Sequence, residues 1–149
     1  MGQTCCVTGH RKLPEEKLEE VKIRLRQETL SAIAEGYDHF ICGFAQGVDL
    51  LFAQAVLEIR QKNPVRLEAA IPYRNRVKNG GAELKRLLAQ CDAFAIINEA
   101  YFPNCFFERN RWMVDRSDRV IAVYDGRLKG GTLFTMQYAK AAGKEIRGI

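Results

Sequence analysis

A chain of 149 residues has the length of one domain, which typically buries roughly 70% of its unfolded surface and so forms a core without metal or disulfide staples. Hydrophobic residues at 47% and charged residues at 28% are close to ordinary globular values; with no low-complexity tract and no apolar run of bilayer length, they exclude fibrous, disordered and membrane-spanning classes. The net charge of +5 favours phosphate-bearing partners without choosing between nucleic acid and a small nucleotide.

In chain order, strand-like runs fall at Thr4 to Thr8, His39 to Cys42, Arg66 to Ile71, Ala93 to Asn98, Arg119 to Tyr124 and, briefly, Glu145 to Arg147. Most are almost continuously apolar, as strands buried on both faces are. Between them lie helical patterns. Leu18, Val21, Leu25, Ala32 and Ile33 form one stripe, widened by Ile23 and Leu30; Val48, Leu51, Phe52, Ala55, Val56 and Ile59 form a cleaner one. Leu84, Leu87, Leu88 and Cys91 give a third, Phe106, Phe107, Asn110, Met113 and Val114 a fourth, and Leu133, Met136, Ala139 and Ala142 a fifth, capped by Gly143.

This alternation predicts an α/β, Rossmann-like three-layer fold, a mainly parallel sheet with helices on both faces, over one domain spanning 1–149. Ligands of such folds bind beyond the carboxyl ends of the strands. The start MGQTCCVTGH lacks the features of a secretory signal, which leads us to expect a cytoplasmic location. Five cysteines, with no C-x-x-C pair and four in or beside apolar runs, indicate neither a disulfide framework nor a zinc site.

Four loops converge on the carboxyl edge in this fold. In the first, Gly9 lets the strand turn, and His10 and Arg11 follow as candidate contacts for an anion or a base. The second, CGFAQGVD, has Gly43 after a strand and Gly47 before a helix; Asp49, in the first helical turn, suits either the positive helix end or a ligand hydroxyl. The third contains Tyr73, Arg74 and Arg76. The fourth ends in KGGTL, where Gly130 and Gly131 leave room for a phosphate, Thr132 supplies a hydroxyl, and the helix dipole adds roughly half a positive charge. The plainer reading of Thr132 is a helix N-cap. Neither a G-x-G-x-x-G nor a Walker A spacing is present. On the helix before the fifth strand, Arg109 carries the planar fork that suits phosphate. His39, at a strand start, reads as a packed or surface residue.

Taken together, TGHRK, CGFAQGVD and ERNRWMVDRSDRVIAVYDGRLKGGT, in this order across nearly the whole chain, resemble the SLOG superfamily of Rossmann-like domains, in its YspA/YpsA-like branch. The resemblance implies a cytoplasmic nucleotide-binding protein, often dimeric. The related Lonely Guy phosphoribohydrolases cleave nucleoside 5'-monophosphates using an arginine in an E-R-K-type helix and a glutamate in a P-G-G-x-G-T-x-x-E loop. Arg109, Gly130, Gly131 and Thr132 match that pattern, but Thr135 stands where the glutamate belongs; Glu108 and Asp49 are the carboxylates that could substitute for it. The related DNA-processing family DprA binds single-stranded DNA and is similar to this chain in its G-x-x-x-G-[VI]-D loop. Here Tyr73, Arg74, Arg76, Tyr101 and Phe102 are the candidate strand contacts.

The leading expectation is a sensor or regulatory protein that binds a nucleotide or nucleotide-derived phosphate ligand through Gly9, His10, Arg11, Gly43, Gly47, Asp49, Arg109, Gly130, Gly131 and Thr132, with no metal or cofactor. A nucleotide N-glycosidase and a single-stranded DNA binder are the alternatives. The apolar segment Tyr101 to Phe107 is expected to be buried, under the sheet edge or between two copies of the chain.

Overall fold

The computed structural model describes residues 2–149. Six strands, β1 (Gln3–Gly9), β2 (Tyr37–Cys42), β3 (Arg66–Ile71), β4 (Ala93–Ile96), β5 (Arg119–Val123) and β6 (Glu145–Gly148), form one sheet in the order β4-β3-β2-β1-β5-β6. All five pairings are parallel, which agrees with the apolar character of the inner strands. The helices are α1 (Leu18–Ala34), α2 (Val48–Arg60), α3 (Ala82–Leu88), α4 (Cys105–Asp115) and α5 (Gly131–Ala141). The first three cover one face of the sheet, and α4 and α5 cover the other.

Strand pleating divides the core. Cys5, Val7, Phe40 and Leu67 pack with Leu25 and Phe52 on the face of α1 to α3, while their neighbours Cys6, Ile41 and Val120 pack with Met113 and Ala139 beneath α4 and α5. Of the first helical stripe, Val21, Leu25 and Ala32 are buried, whereas Ile23 and Leu30 lie outside it and are exposed. All five cysteines are free thiols. Burial pushes the Cys6 thiol up to about 12, so it behaves as a small hydrophobe.

Gly143 ends α5 as expected, at φ 74°. Its N–H donates to Lys140 O at 3.1 Å and the N–H of Lys144 to Ala139 O at 3.0 Å, the paired bonds of a Schellman cap. Two single-turn 3-10 helices, Glu15–Lys17 and Arg74–Arg76, are also present, the second within the loop read there from the sequence. The segment Tyr101 to Phe107 is not buried under the sheet edge: Cys105 is fully buried, but Tyr101 is 60% exposed and Phe107 36%. Aromatic clustering takes the place of burial, with Tyr73, Tyr101 and Phe106 packed edge to face at centroid distances of 5.4 to 6.4 Å.

The strand order places the crossover point between β1 and β5: connections from β1 run outward through α1 and α2, and those entering β5 come from the far edge through α4. A parallel sheet opens a crevice at the carboxyl ends where its connections diverge in this way.

Candidate ligand-binding site

A cavity of about 500 Å³ occupies that crevice. Its walls come from the end of β1 with the loop that follows, the loop before α2, the start of α4 and the loop that enters α5. Gly9, His10, Arg11, Asp49, Arg109, Gly130, Gly131 and Thr132 line it together, so eight of the ten residues singled out from the sequence share one space.

Gly43 and Gly47 stand behind the wall, and the reason each is glycine is packing. A Cβ at Gly43 would lie 2.7 Å from Arg109 Nη1. At Gly47, whose φ is 78°, a Cβ would meet the carbonyl oxygens of Arg11 at 2.4 Å and His10 at 2.5 Å. Gly9 also works through packing, not through a turn: it is the last residue of β1, paired with Val123, and a Cβ there would lie 2.5 Å from Val48 Cβ. The three glycines thus draw the β1 and β2 ends, α2 and α4 closer than any side chain would permit.

The loop between β2 and α2 contains the one non-glycine residue with positive φ among those described, Phe44 at 55°, whose ring is buried in the core. This bend lets the Ala45 N–H donate to Asp49 Oδ2 at 3.0 Å, fixing the carboxylate against the cavity. Burial raises the Asp49 carboxyl above its usual value, against the pull of Arg109 and of the Ala45 bond. Among the described residues Asp49 is the sole carboxylate lining the cavity, which also receives Arg11, Lys12, Arg109 and Arg127. Glu108 is half-buried and does not line it, and Thr135 is buried with its hydroxyl donated to Gly131 O at 2.8 Å.

Arg109 is 4% exposed. Its Nη1 donates to Gly43 O at 2.6 Å and, at 3.5 Å, to Ala70 O; its Nε donates to Asn110 Oδ1 at 2.9 Å. Much of this guanidinium therefore ties α4 to the ends of β2 and β3, and Nη2 alone has no hydrogen-bond partner among the described residues. Burial lowers the Arg109 pKa and Asp49 opposes that shift; an arginine nevertheless stays charged at neutral pH.

On the opposite wall α5 begins at Gly131, and Gly130, at φ 122°, is its N-cap with no side-chain capping bond. Thr132 is consequently the second helical residue and not the cap. A Cβ built on Gly131 would meet no atom within 4 Å, so the approach to the helix start is open. The backbone N–H groups of Gly131, Thr132 and Leu133 precede the first intrahelical bond, that of Phe134 N to Gly130 O at 3.1 Å, and have no intrahelical partner.

His10, 6% exposed, bridges this wall to the end of β1. Asp125 N donates to its Nε2 at 3.1 Å, and its Nδ1 lies 3.5 Å from Thr132 Oγ1. Burial lowers the His10 pKa, outweighing Asp125, so the ring is neutral at neutral pH. The same Nε2 lies 3.2 Å from Asp125 Oδ1. His39 makes no approach to the cavity; its Nε2 is 2.9 Å from Glu68 Oε1 on the sheet.

Arg127, Lys12 and Phe106 also line the cavity, a role the sequence reading did not give them. Arg127 was legible in principle, because D-G-R is an Asx-turn pattern: Arg127 N donates to Asp125 Oδ1 at 3.1 Å and its guanidinium grips both carboxylate oxygens. That grip holds the Asp125 carboxyl well below the usual carboxylate range. Phe106 was counted as helix core, yet its ring centroid lies 5.0 Å from the Arg11 guanidinium and 5.8 Å from that of Arg109.

Among the described residues no helix is long and apolar enough to cross a membrane, and no group of three or more His, Cys, Asp or Glu side chains is placed to hold a metal. Among curated relatives, a UPF0398 protein of Lactobacillus acidophilus is 29% identical over 137 residues, 83% of this chain and 73% of the relative. One of Oceanobacillus iheyensis is 24% identical over 141 residues, 86% of this chain and 77% of the relative. Of solved structures, DNA processing protein A of Helicobacter pylori, described for its single-stranded DNA binding mode, is similar with a TM-score of 0.71 at 18% identity. The match covers 98% of this chain and 64% of that one, so the chain spans less than two thirds of that protein. The X-ray structure of TM1055 is similar with a TM-score of 0.63 at 19% identity, over 97% of this chain and 72% of that one. At such identities these two likenesses show the fold. The model of the YspA SLOG family matches residues 5–147, every strand and helix of the fold from within β1 to within β6, and the chain therefore belongs to the YspA SLOG family.

Proposed function

We propose that the chain binds a nucleotide or nucleotide-derived phosphate ligand in this cavity and acts as a cytoplasmic sensor or regulatory protein. One observation carries the reading: the open, uncapped start of α5 faces a space of about 500 Å³ lined by four cationic side chains and a single carboxylate. Anions are stabilised at such helix ends by unpaired N–H groups and by the dipole. The volume is in the range of pockets for molecules of nucleotide size, roughly 300 to 1,000 Å³. Phosphate fits the α5 start with Arg127 beside it, Asp49 suits a sugar hydroxyl, and the Phe106 ring offers a face to a base. Calorimetry with nucleoside monophosphates, ADP-ribose and NAD, and with adenosine as the control lacking phosphate, tests the reading. Binding of a phosphate-bearing compound but not adenosine supports it; no binding by the folded protein to any of them rejects it.

Two further readings have their own support. Asp49 is a carboxylate on the cavity with a raised pKa, the property a general acid or base needs, and this favours a nucleotide N-glycosidase. Release of free base from a nucleotide, abolished in Asp49→Asn with binding retained, would establish it. The aromatic cluster of exposed Tyr101 with half-buried Tyr73 and Phe106, beside Arg11, favours single-stranded DNA, and a salt-dependent mobility shift tests that. Arg74 contributes less to such a surface than its sequence position implied, since Glu99 holds it in a two-bond pair at 2.8 and 2.9 Å. A homodimer belongs to the same proposal. The exposed Phe94, Ile96, Tyr101 and Phe107 support it, and light scattering measures it.

A further inference from the structure

We propose that His10 is a positioning residue: as a neutral imidazole carrying its proton on Nδ1, it orients the Thr132 hydroxyl so that the hydroxyl hydrogen is offered to the cavity. This rests on the phosphate reading above and deepens it, because it specifies what the cradle accepts.

The Asp125 N–H donates to Nε2 at 3.1 Å, and Asp125 Oδ1, 3.2 Å from the same nitrogen, already accepts from Arg127 N and Nε, so we assign Nε2 as the acceptor. A neutral imidazole has one donor and one acceptor nitrogen, which leaves the proton on Nδ1. Nδ1 faces Thr132 Oγ1 at 3.5 Å, a long contact that shortens as an anion polarises the hydroxyl, since hydrogen bonds in a chain strengthen one another. With the ring as donor, Thr132 Oγ1 is the acceptor. In that tautomer its own hydrogen has no acceptor among the described residues, unlike that of Thr135, which returns to Gly131 O at 2.8 Å.

The ring is held in place from behind. Val48 N donates to His10 O at 3.2 Å, and the missing side chain of Gly47 admits that oxygen, which would otherwise lie 2.5 Å from a Cβ. His10 therefore joins the ends of β1 and β5 to the starts of α2 and α5. With Thr132 turned outward, the α5 start presents donors only: three backbone N–H groups and one O–H. A group whose oxygens only accept, a phosphate ester, fits such a set. A sugar hydroxyl or a carboxamide would bring a hydrogen with no place to go.

The test has two parts. Two-bond ¹⁵N–¹H correlation spectra of the free protein report the His10 tautomer and need no variant; protonation at Nδ1 is expected, and protonation at Nε2 alone overturns the inference. Calorimetry with adenosine 5'-monophosphate then compares wild type with His10→Phe, His10→Asn and Thr132→Val, each checked for fold by circular dichroism. Asparagine places an N–H donor where Nδ1 stood. We expect affinity to fall about tenfold or more in His10→Phe and in Thr132→Val, to recover largely in His10→Asn, and to fall no further in the His10→Phe, Thr132→Val double variant. Undiminished binding by His10→Phe overturns the inference and leaves the phosphate reading standing. Failure of the wild type to bind this nucleotide or any other phosphate-bearing compound rejects the reading and the inference together.

Discussion

Two titratable side chains on the cavity, His10 and Asp49, depart from their usual values in opposite senses, and both shifts arise first from burial. His10 is held neutral, so its folded pKa lies below the unfolded one, and the unfolded chain binds the extra proton as pH falls. The stability this contributes is complete above the ordinary histidine value of about 6.5 and is lost below it. We predict that the Tm of the wild type falls more between pH 7.5 and pH 5 than that of His10→Asn, measured by calorimetry in matched buffers. Asp125 has a depressed pKa because Arg127 grips it, so its contribution persists through that window and disappears only below about pH 4. Acidification between pH 7.5 and 5 thus isolates His10 from its neighbour. At Arg109 the loss of charge would matter less than the loss of shape. Its bonds to Gly43 O and Ala70 O fasten two strand ends, so Arg109→Lys, which keeps a charge but loses the planar fork, should lower Tm as well as ligand affinity.

At the scale of elements, the two glycine-containing loops are built for different tasks although they look alike in sequence. Gly47 sits at φ 78° with backbone oxygens at 2.4 and 2.5 Å from any added Cβ. Backbone cannot swing aside, so Gly47→Ala should destabilise the fold by about 1 to 3 kcal/mol, read from denaturant midpoints. Gly131 has ordinary backbone and open space around it. Gly131→Ala should leave Tm within about 1 °C, because the helix gains propensity as the chain loses freedom, while a methyl group intrudes on the anion position. Phosphate-bearing ligands should then bind at least about fivefold more weakly, a difference of about 1 kcal/mol. KGGTL, as the start of α5, combines one glycine required by the backbone, Gly130 at φ 122°, with one that clears the approach.

Across the whole molecule the two ends of the sheet divide the work. The carboxyl end is left open and electropositive. The amino end is closed by an ion cluster in which Arg119, 2% exposed, stacks 4.6 Å from the Tyr37 ring and bonds Glu145 at 2.5 Å and Glu35 at 2.8 Å. Burial alone would lower the Arg119 pKa, but the bonds to Glu35 and Glu145 raise it above its usual value. Because β5, β6 and the end of α1 meet there, Arg119→Met should lower Tm by roughly 5 °C or more while leaving ligand affinity unchanged, since the cluster lies at the far end of the strands from the cavity. Ligand binding should instead respond to salt: cations that face solvent across the cavity are screened, so affinity should fall as ionic strength rises from about 0.05 to 0.5 M.

The alternation of apolar strand runs with helical stripes determined the α/β, parallel, three-layer architecture by itself, because each stretch states locally which of its faces must be buried. Glycine positions and KGGTL likewise located the carboxyl-edge loops, since close approach and unpaired N–H groups have no other common residue signature. What needed the tertiary structure was every relation between distant loops. That Gly43 makes room for Arg109, that Gly47 admits the His10 carbonyl and that both nitrogens of His10 face protein groups are facts of three-dimensional proximity. Tyr101 shows the converse: the sheet edge, one of the two places expected to bury it, does not, and it is 60% exposed on the single chain with aromatic rings at the rim as its neighbours. Composition states how much apolar surface a segment has; only the packed chain decides what lies against it.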